Sequence, residues 1–214
     1  MRDMFHDELT ELRDLLSTMC TRAAAAMRQA TDALLSADLV AAEQVLSADA
    51  ELDRPRDECE ERARHTLVLQ APKAADLRLV LSAIYCADRL ERMGDLAEHV
   101  ADATRRVHPA HVVPPELYDT FAALGTITAT MTDRLVGHIA CPREGSFAEM
   151  DEIDHQVDDL YAAALARITG KCWRHGVPAA TGLVLVARFY ERYADQAVSV
   201  AKRLEFVSTG VRPR

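Results

Sequence analysis

The chain has 214 residues, which is enough for one large domain or for two units of about 100 residues, and either can bury a hydrophobic core. Its formal charge of −9 disfavours sequence-independent nucleic-acid binding, which needs a basic surface. Glycine and proline number 8 each and aromatic residues make up 5%, so the composition favours helices. Five cysteines without a Cys-x-x-Cys pair argue against a disulfide framework and a zinc ribbon, and we expect reduced, buried thiols.

Apolar residues at helical spacing predict three helices in the first half of the chain. The first runs from about residue 5 to residue 35. Asp38 is in the position of an N-cap, so the second runs from there towards residue 69. The segment 70–72 ends with a proline and breaks this helix, and the third helix continues to about residue 106.

The clearest linker in the chain is the proline-rich segment 108–115, and three further helices follow it. The fourth starts with Pro115 and ends near residue 140. After a turn, Ser146 and Glu149 form a capping box for the fifth, which runs to about residue 174. The segment 175–178 stops it, and the sixth reaches about residue 207.

The third and sixth helices share a repeated segment. Residues 89–101 recur as residues 189–201, with Glu, Arg, Asp, Ala, Val and Ala at the same places. An offset of 100 residues is too long for a solenoid repeat. The chain is therefore predicted to be all-α, with six helices as two tandem antiparallel three-helix bundles: residues 1–107, the linker 108–115, and residues 116–214.

Each copy of the repeat carries a Glu and an Asp four residues apart. These are Glu91 with Asp95 and Glu191 with Asp195, and residues four apart share one face of a helix. The residues seven positions before and after Glu191 are valines, so the acids lie in line with the apolar stripe. Burying an unpaired carboxylate costs several kcal/mol unless a cation or hydrogen-bond donors compensate.

A second acidic pair lies on the preceding helix of each half. Asp154 and Asp158 share a face of the fifth helix, and an offset of 101 residues aligns them with Asp53 and Asp57 in the second helix. Pro55 lies between the latter two, so it either kinks the second helix or leaves Asp53 as the cap of a helix that starts there.

Four carboxylates at each helix–helix seam provide hard oxygen ligands, which suit Mg²⁺, Ca²⁺, Mn²⁺ or iron. Two alternatives remain open. The acids can form an ordinary solvated face, or nearby arginines can neutralise them in salt bridges. The candidate arginines are Arg89, Arg92, Arg188 and Arg192.

The sequence contains no recognisable catalytic constellation. It has no Walker motif, no glycine-rich dinucleotide loop, no His-Glu-x-x-His and no evident nucleophile–base set. A single Glu-x-x-His, formed by Glu152 and His155, falls short of the two that a ferritin-like di-iron bundle needs. We therefore predict a protein that is not an enzyme.

Three segments resemble the PhoU family of bacterial phosphate-signalling regulators, and its PhoY-like actinobacterial branch is the most similar. Residues 91–97 resemble the family's Glu-Arg-Ile-Gly-Asp-His-Ala motif, and residues 191–197 resemble its second copy. Residues 69–78 resemble its Gln-x-Pro-x-Ala-x-Asp-Leu-Arg segment. The likeness covers essentially the whole chain. It departs from the family where the motif's His is replaced by Leu96 and Gln196.

The resemblance implies two three-helix bundles side by side, with acidic motifs that hold iron or zinc clusters in some members. Carried over by position, the metal ligands are Asp53, Asp57, Glu91 and Asp95 in the first half and Asp154, Asp158, Glu191 and Asp195 in the second. Such cations neutralise the acidic seam and fix the packing of the helices. The resemblance implies no catalytic residues.

The resemblance also implies a negative regulator of the phosphate-starvation response. It would be an adaptor that couples the ATPase subunit of the Pst phosphate ABC transporter to a sensor histidine kinase. The rival interpretation is a metal-dependent helical-bundle enzyme, either a di-iron oxidase or a phosphohydrolase.

The amino terminus does not read as a signal peptide, and no apolar run approaches the roughly 20 residues of a membrane span. We therefore expect a cytoplasmic protein that is peripheral to membrane complexes and does not bind nucleic acid directly. A monomer and a homodimer both stay open.

Overall fold

The described part of the chain is helical and contains no β-strand. The structure, a computed structural model, describes residues 2–48 and 50–213, without the side chains of residues 2–6, 50 and 51. These residues form seven α-helices and one short 3₁₀ turn, Pro115–Leu117, before the fifth helix. The helices are α1 (Arg2–Ser36), α2 (Leu39–Ser47), α3 (Ala50–Gln70), α4 (Ala75–Val107), α5 (Tyr118–Ala140), α6 (Ser146–Ile168) and α7 (Gly176–Thr209).

The predicted plan of six helices is confirmed, with the second predicted helix divided into α2 and α3. Asp38 caps α2 as predicted, since its carboxylate accepts a hydrogen bond of 3.0 Å from the backbone N–H of Ala41. At the other end, the N–H of Ala48 bonds back to Val45 over three residues and closes the helix. Pro55 lies inside α3, which begins at Ala50, so the alternative in which Asp53 caps a new helix is wrong.

Two local predictions in the second half are wrong. Helix α6 ends at Ile168 instead of near residue 174, because Thr169 and Gly170 bond back to it in a closing turn. Ser146 does not cap α6 with its side chain. A carboxylate oxygen of Glu205, on α7, accepts a hydrogen bond of 2.9 Å from the N–H of Phe147 and so satisfies this helix end from elsewhere in the fold.

The hydrophobic core runs through both halves of the chain. Helix α1 packs against α4 and α5, and α4 packs against α7, so these four long helices form the centre. Helix α3 lies outside against α1 and α4, and α6 lies outside against α7 and α5. Each half therefore has one outer helix beside the repeat-bearing helix, α4 or α7. The domain boundaries at residues 107 and 116 stay a prediction.

The five cysteines are free thiols. Cys20, Cys59 and Cys86 are buried, as predicted. Cys141 and Cys172 are exposed, so the prediction of burial is wrong for these two, which lie in the turns that precede and follow α6.

Buried tyrosine hydroxyls are paired with threonines across the core. The hydroxyl of Tyr190 lies 2.9 Å from the hydroxyl of Thr31, which joins α7 of the second half to α1 of the first. Thr132 donates a hydrogen bond of 2.9 Å to the hydroxyl of Tyr193. Pairing keeps these polar groups from being buried without a partner, so the core can hold large aromatic residues.

Gly125 permits the close approach of α5 to α1. A Cβ atom at this position would lie 2.4 Å from the side chain of Thr31, which is held by hydrogen bonds to Met27 and Tyr190. We expect Gly125→Ala to lower the free energy of unfolding by about 1–3 kcal/mol, because the extra methyl group overpacks this contact. Urea denaturation monitored by circular dichroism measures this change.

The matched control is Gly137→Ala in the same helix. A Cβ atom there meets nothing within 4 Å, so the substitution should raise the free energy of unfolding by about 0.5–1 kcal/mol through helix propensity alone. A gain of stability at both positions would show that α1 and α5 are not in close contact at Gly125.

Candidate functional site

The predicted carboxylates of the second half come together where α6 packs against α7. Helix α6 supplies Asp154 and Asp158, and α7 supplies Glu191 and Asp195. Asp158 and Asp195 are exposed at the rim, whereas Asp154 and Glu191 are partly buried. The side chain of Glu191 is only 13% exposed. The prediction that these acids face a helix seam is therefore met most fully by Asp154 and Glu191.

Two oxygen atoms of this cluster are buried without a hydrogen-bond partner. They are Oδ1 of Asp154 and Oε2 of Glu191. The other carboxylate oxygen of Glu191 accepts a hydrogen bond from Arg188, one turn earlier on α7. A buried anionic oxygen that lacks a donor is costly, so this seam has the character of a site that a proton or a cation would complete.

The pKa values of the cluster show the mutual repulsion of its members. Burial, followed by the charges of Asp158 and Asp195, raises the pKa of Asp154 from its usual 3.8 to about 7. The pKa of Glu191 is raised by burial and by Asp195, with Arg188 opposing. Partial burial also raises the pKa of Asp195. The charge of Arg188 opposes this shift, and the charge of Asp158 adds to it. Burial and, after it, mutual repulsion therefore disfavour the charged forms of Asp154, Glu191 and Asp195.

The corresponding acids of the first half lie where α3 packs against α4. Asp53 is partly buried, whereas Asp57 is exposed. The pKa of Glu91 is raised by burial and by Asp95, and the charge of Arg56 opposes the shift. The exposure of these acids matches the second half except at Asp95, which is partly buried whereas its counterpart Asp195 is exposed.

Arg56 distinguishes the first acidic group from the second. Its guanidinium lies 2.8 Å from a carboxylate oxygen of Asp57 and also acts on Glu91. With the offset of 101 residues that aligns the two aspartate pairs, the counterpart of Arg56 is Val157, which is buried. The first group is thus partly neutralised from within its own helix pair, and the second lacks this compensation.

The salt-bridge alternative from the sequence also has support. Arg92 bonds Asp95 at 3.1 Å, and Arg188 bonds Glu191. Arg89 takes a different role and donates a hydrogen bond of 3.1 Å to Gln196 across the α4–α7 contact. In the first half Asp57 and Asp95 are therefore each paired with an arginine, whereas in the second half only Glu191 among the four described acids is.

Metal binding at these groups stays a prediction. Among the described residues, no three His, Cys, Asp or Glu side chains converge in a geometry that could hold a metal ion. The orphaned oxygens of Asp154 and Glu191 are nevertheless of the ligand type that a hard cation favours. In the first half the guanidinium of Arg56 already compensates part of the negative charge, so the acids there fit a cation less well. These acids are Asp53, Asp57, Glu91 and Asp95.

A cavity near the linker lies away from all eight acids. Its volume is about 620 Å³, and the residues that line it lie near the linker, the end of α1 and the α6–α7 turn. Trp173, which follows α6, is one of its walls. None of the eight predicted acids is among the residues that line this cavity.

Comparison with known proteins decides the family. A family model described as "PhoU domain" matches residues 16–104. The chain is 41% identical over 213 residues to the "Phosphate-specific transport system accessory protein PhoU homolog 2" of Mycobacterium tuberculosis, and the match covers 100% of both chains. The chain belongs to the PhoU family. It is also 41% identical to PhoU homolog 1 of Mycobacterium leprae, with 100% of this chain and 96% of the relative covered.

Solved structures agree with this membership at the level of the fold. The crystal structure of PhoU from Pseudomonas aeruginosa superimposes with a TM-score of 0.89 at 24% identity and covers 97% of this chain and 100% of the other. PhoU from Streptococcus pneumoniae gives a TM-score of 0.87, also at 24% identity, with 98% and 99% covered. The all-α prediction and the resemblance seen in the sequence are both confirmed.

Proteins of the PhoU family are regulatory accessory proteins, not enzymes, and this confirms the non-enzymatic prediction. Homologues named for the phosphate-specific transport system associate the family with phosphate uptake. Among the helices that the structure describes, none combines the length and apolar character needed to cross a bilayer.

Asp154 gives the acidic seam a measurable pH dependence. Its pKa in the folded chain is about 7 and its ordinary value is 3.8, so between these values the folded state holds a proton that the unfolded state has lost. The stability of chelator-treated protein should therefore fall as pH rises through this range. Asp154→Asn should remove this contribution, so its melting temperature relative to wild type should be higher at pH 8 than at pH 5.

Asp159→Asn is the control, because this exposed acid lies on the same helix and forms no ion pair with a described residue. Its melting temperature relative to wild type should be the same at both pH values. If Asp154→Asn behaved in the same way as Asp159→Asn, the carboxyl of Asp154 would not be held in a repulsive, poorly solvated position.

Proposed function

We propose that this protein is a cytoplasmic negative regulator of the phosphate-starvation response. In this role it is an adaptor between the ATPase subunit of the Pst phosphate transporter and a membrane sensor histidine kinase. The observation that carries the proposal is the 41% identity along the entire chain to a phosphate-specific transport system accessory protein. The four-helix core to which both halves contribute also supports the proposal, because this scaffold presents two similar faces, one from each half.

In this proposal the acidic seams are structural cation sites. A bound divalent or trivalent cation would neutralise Asp154 and Glu191 and hold α6 against α7, and the chemistry it supplies is charge compensation alone. Iron and zinc follow from the family resemblance, and Mg²⁺, Ca²⁺ or Mn²⁺ follow from the oxygen ligands. The first seam would bind more weakly, since Arg56 already supplies a positive charge there.

Deletion of the gene is expected to switch on phosphate-starvation genes in high phosphate, because the kinase would lose its repressing partner. A transcriptional reporter for a starvation gene measures this effect. Relatives occur as homologs 1 and 2 within one species, so every paralogue must be absent from the strain. A reporter that stays silent in such a strain, and responds normally to starvation, would contradict the proposed regulation.

The proposed partners can be tested in the same strain. A tagged copy that restores repression should capture the transporter ATPase subunit and the sensor kinase from mildly crosslinked cells, as identified by mass spectrometry. Capture of neither, by a copy that restores repression, would show that the adaptor model is wrong even though the regulatory role is right.

Metal content should differ between the two seams. We expect Asp154→Asn with Glu191→Gln to remove most of the metal that co-purifies with the protein, as measured by elemental analysis. The matched pair in the first half, Asp53→Asn with Glu91→Gln, should remove less. Protein from metal-supplemented cells that contains no stoichiometric metal before any substitution would rule out the cation sites.

A further inference from the structure

A basic cavity lies on the contact between α4 and α7, away from the acidic seams. Its volume is about 210 Å³. Helix α4 contributes Tyr85, the last turns of α7 contribute four residues, and the segment after α7 contributes one. The lining residues are Tyr85, Ser199, Lys202, Arg203, Phe206 and Arg212. Three of these six are cations and none is an acid.

The three cations have no counter-ion in the described part of the chain. Among the described residues, Lys202, Arg203 and Arg212 form no ion pair, although many other arginines of this acidic chain do. The nearest acid in sequence is Glu205, and its carboxylate is directed to the start of α6, where it accepts from Phe147. Three uncompensated positive charges around one concavity create a local field that attracts small anions.

Two aromatic rings hold the guanidinium groups in place. Arg203 lies 4.3 Å and Arg89 lies 4.8 Å from the ring centroid of Tyr85. The Phe206 ring has Arg212 at 5.7 Å and Arg78 at 6.0 Å. A cation over an aromatic face keeps its N–H donors free, since the ring satisfies only the charge. The cavity thus presents preorganised fork donors, the form of arginine that recognises phosphate oxygens.

The volume of the cavity and the charge of its lining residues limit the class of ligand that it can bind. Pockets for drug-sized ligands have volumes of about 300–1,000 Å³, so this cavity suits a smaller molecule. Three cations match a small anion with more than one negative charge better than they match a singly charged one. The rings of Tyr85 and Phe206 are already occupied by guanidinium groups, so they offer no free face for a nucleobase to stack on.

We propose that this cavity is a binding site for a small polyphosphate anion, either free pyrophosphate or the diphosphate group of a phosphate ester. Lys202, Arg203 and Arg212 contact its oxygens, and Ser199 and Tyr85 line the same cavity. The inference rests on this cavity alone, so it can hold or fail independently of the adaptor function and of the cation sites.

Isothermal titration calorimetry on the chelator-treated, full-length protein tests the proposal, with pyrophosphate, orthophosphate and ADP as ligands. Pyrophosphate should bind at least about tenfold more tightly than orthophosphate, because a second phosphate group engages further charge-assisted donors. ADP with an affinity like that of pyrophosphate would assign the diphosphate group as the recognised element of an ester. Clearly weaker binding of ADP would assign free pyrophosphate as the ligand.

The discriminating variants are Arg203→Gln and Lys202→Gln, with Arg174→Gln as the matched control. Arg203→Gln should weaken pyrophosphate binding at least about tenfold, and Lys202→Gln should weaken it in the same direction. Arg174 is exposed, lies in the α6–α7 turn and forms no ion pair with a described residue, so its substitution should change the affinity by less than about twofold. Thermal melts show whether each variant is folded, and two independent variants allow the test even if one is unstable.

Three outcomes would overturn the proposal. The first is the absence of binding heat with pyrophosphate at millimolar concentration. The second is a loss of affinity in Arg174→Gln as large as that in Arg203→Gln, which would indicate non-specific attraction. The third is that the protein co-sediments with anionic lipid vesicles in a manner that depends on Arg203, while pyrophosphate neither binds to the protein nor competes with the vesicles. The cavity would then be part of a membrane-facing surface.

Discussion

The antiparallel contact between α4 and α7 is the constraint on which the rest of the structure depends. It joins the two halves through a hydrogen bond from Arg89 to Gln196 and through the edge of the His99 ring against Phe189. In the repeat, Glu91 follows Arg89 by two residues, which is a rotation of about 200° around the helix. A helix that turns Arg89 towards α7 must therefore turn Glu91 towards the opposite side, where α3 lies. The same contact thus shapes the core between the halves and sends the acids to the outer seams.

Duplication has produced two seams with the same design and different electrostatics. The carboxylates occupy matching positions, but the first seam contains Arg56 and the second contains the buried Val157. Each helix pair therefore compensates its negative charge from a different place, through Arg56 on α3 in the first half and through Arg188 on α7 in the second, and the second still leaves one oxygen each of Asp154 and Glu191 without a donor. The family resemblance concerns the shared carboxylates, whereas the difference between the halves depends on two neighbours outside the repeated motif, Arg56 and Arg188.

The sequence predicted the features that depend on local periodicity. Apolar spacing located the long helices, Asp38 identified one cap, and the helical turn angle placed Glu191 in line with the core. The features that it missed depend on residues far apart in the chain. The start of α6 is satisfied by Glu205, which lies 58 residues after the N–H that it accepts from, so the local Ser146 and Glu149 pattern was misleading. The basic cavity was missed because its walls come from two helices of different halves. Arg56 could have been found, since it stands beside Asp57 in the sequence.

Glu205 connects the two ends of this arrangement. It lies between Arg203 and Phe206 in the last turns of α7, and its carboxylate anchors the first turn of the helix that carries Asp154 and Asp158. Any rearrangement of those final turns of α7 also alters the support of α6. If a ligand beside these turns displaced Glu205, its binding would also change cation affinity at the α6–α7 seam, and the two binding free energies would change by the same amount.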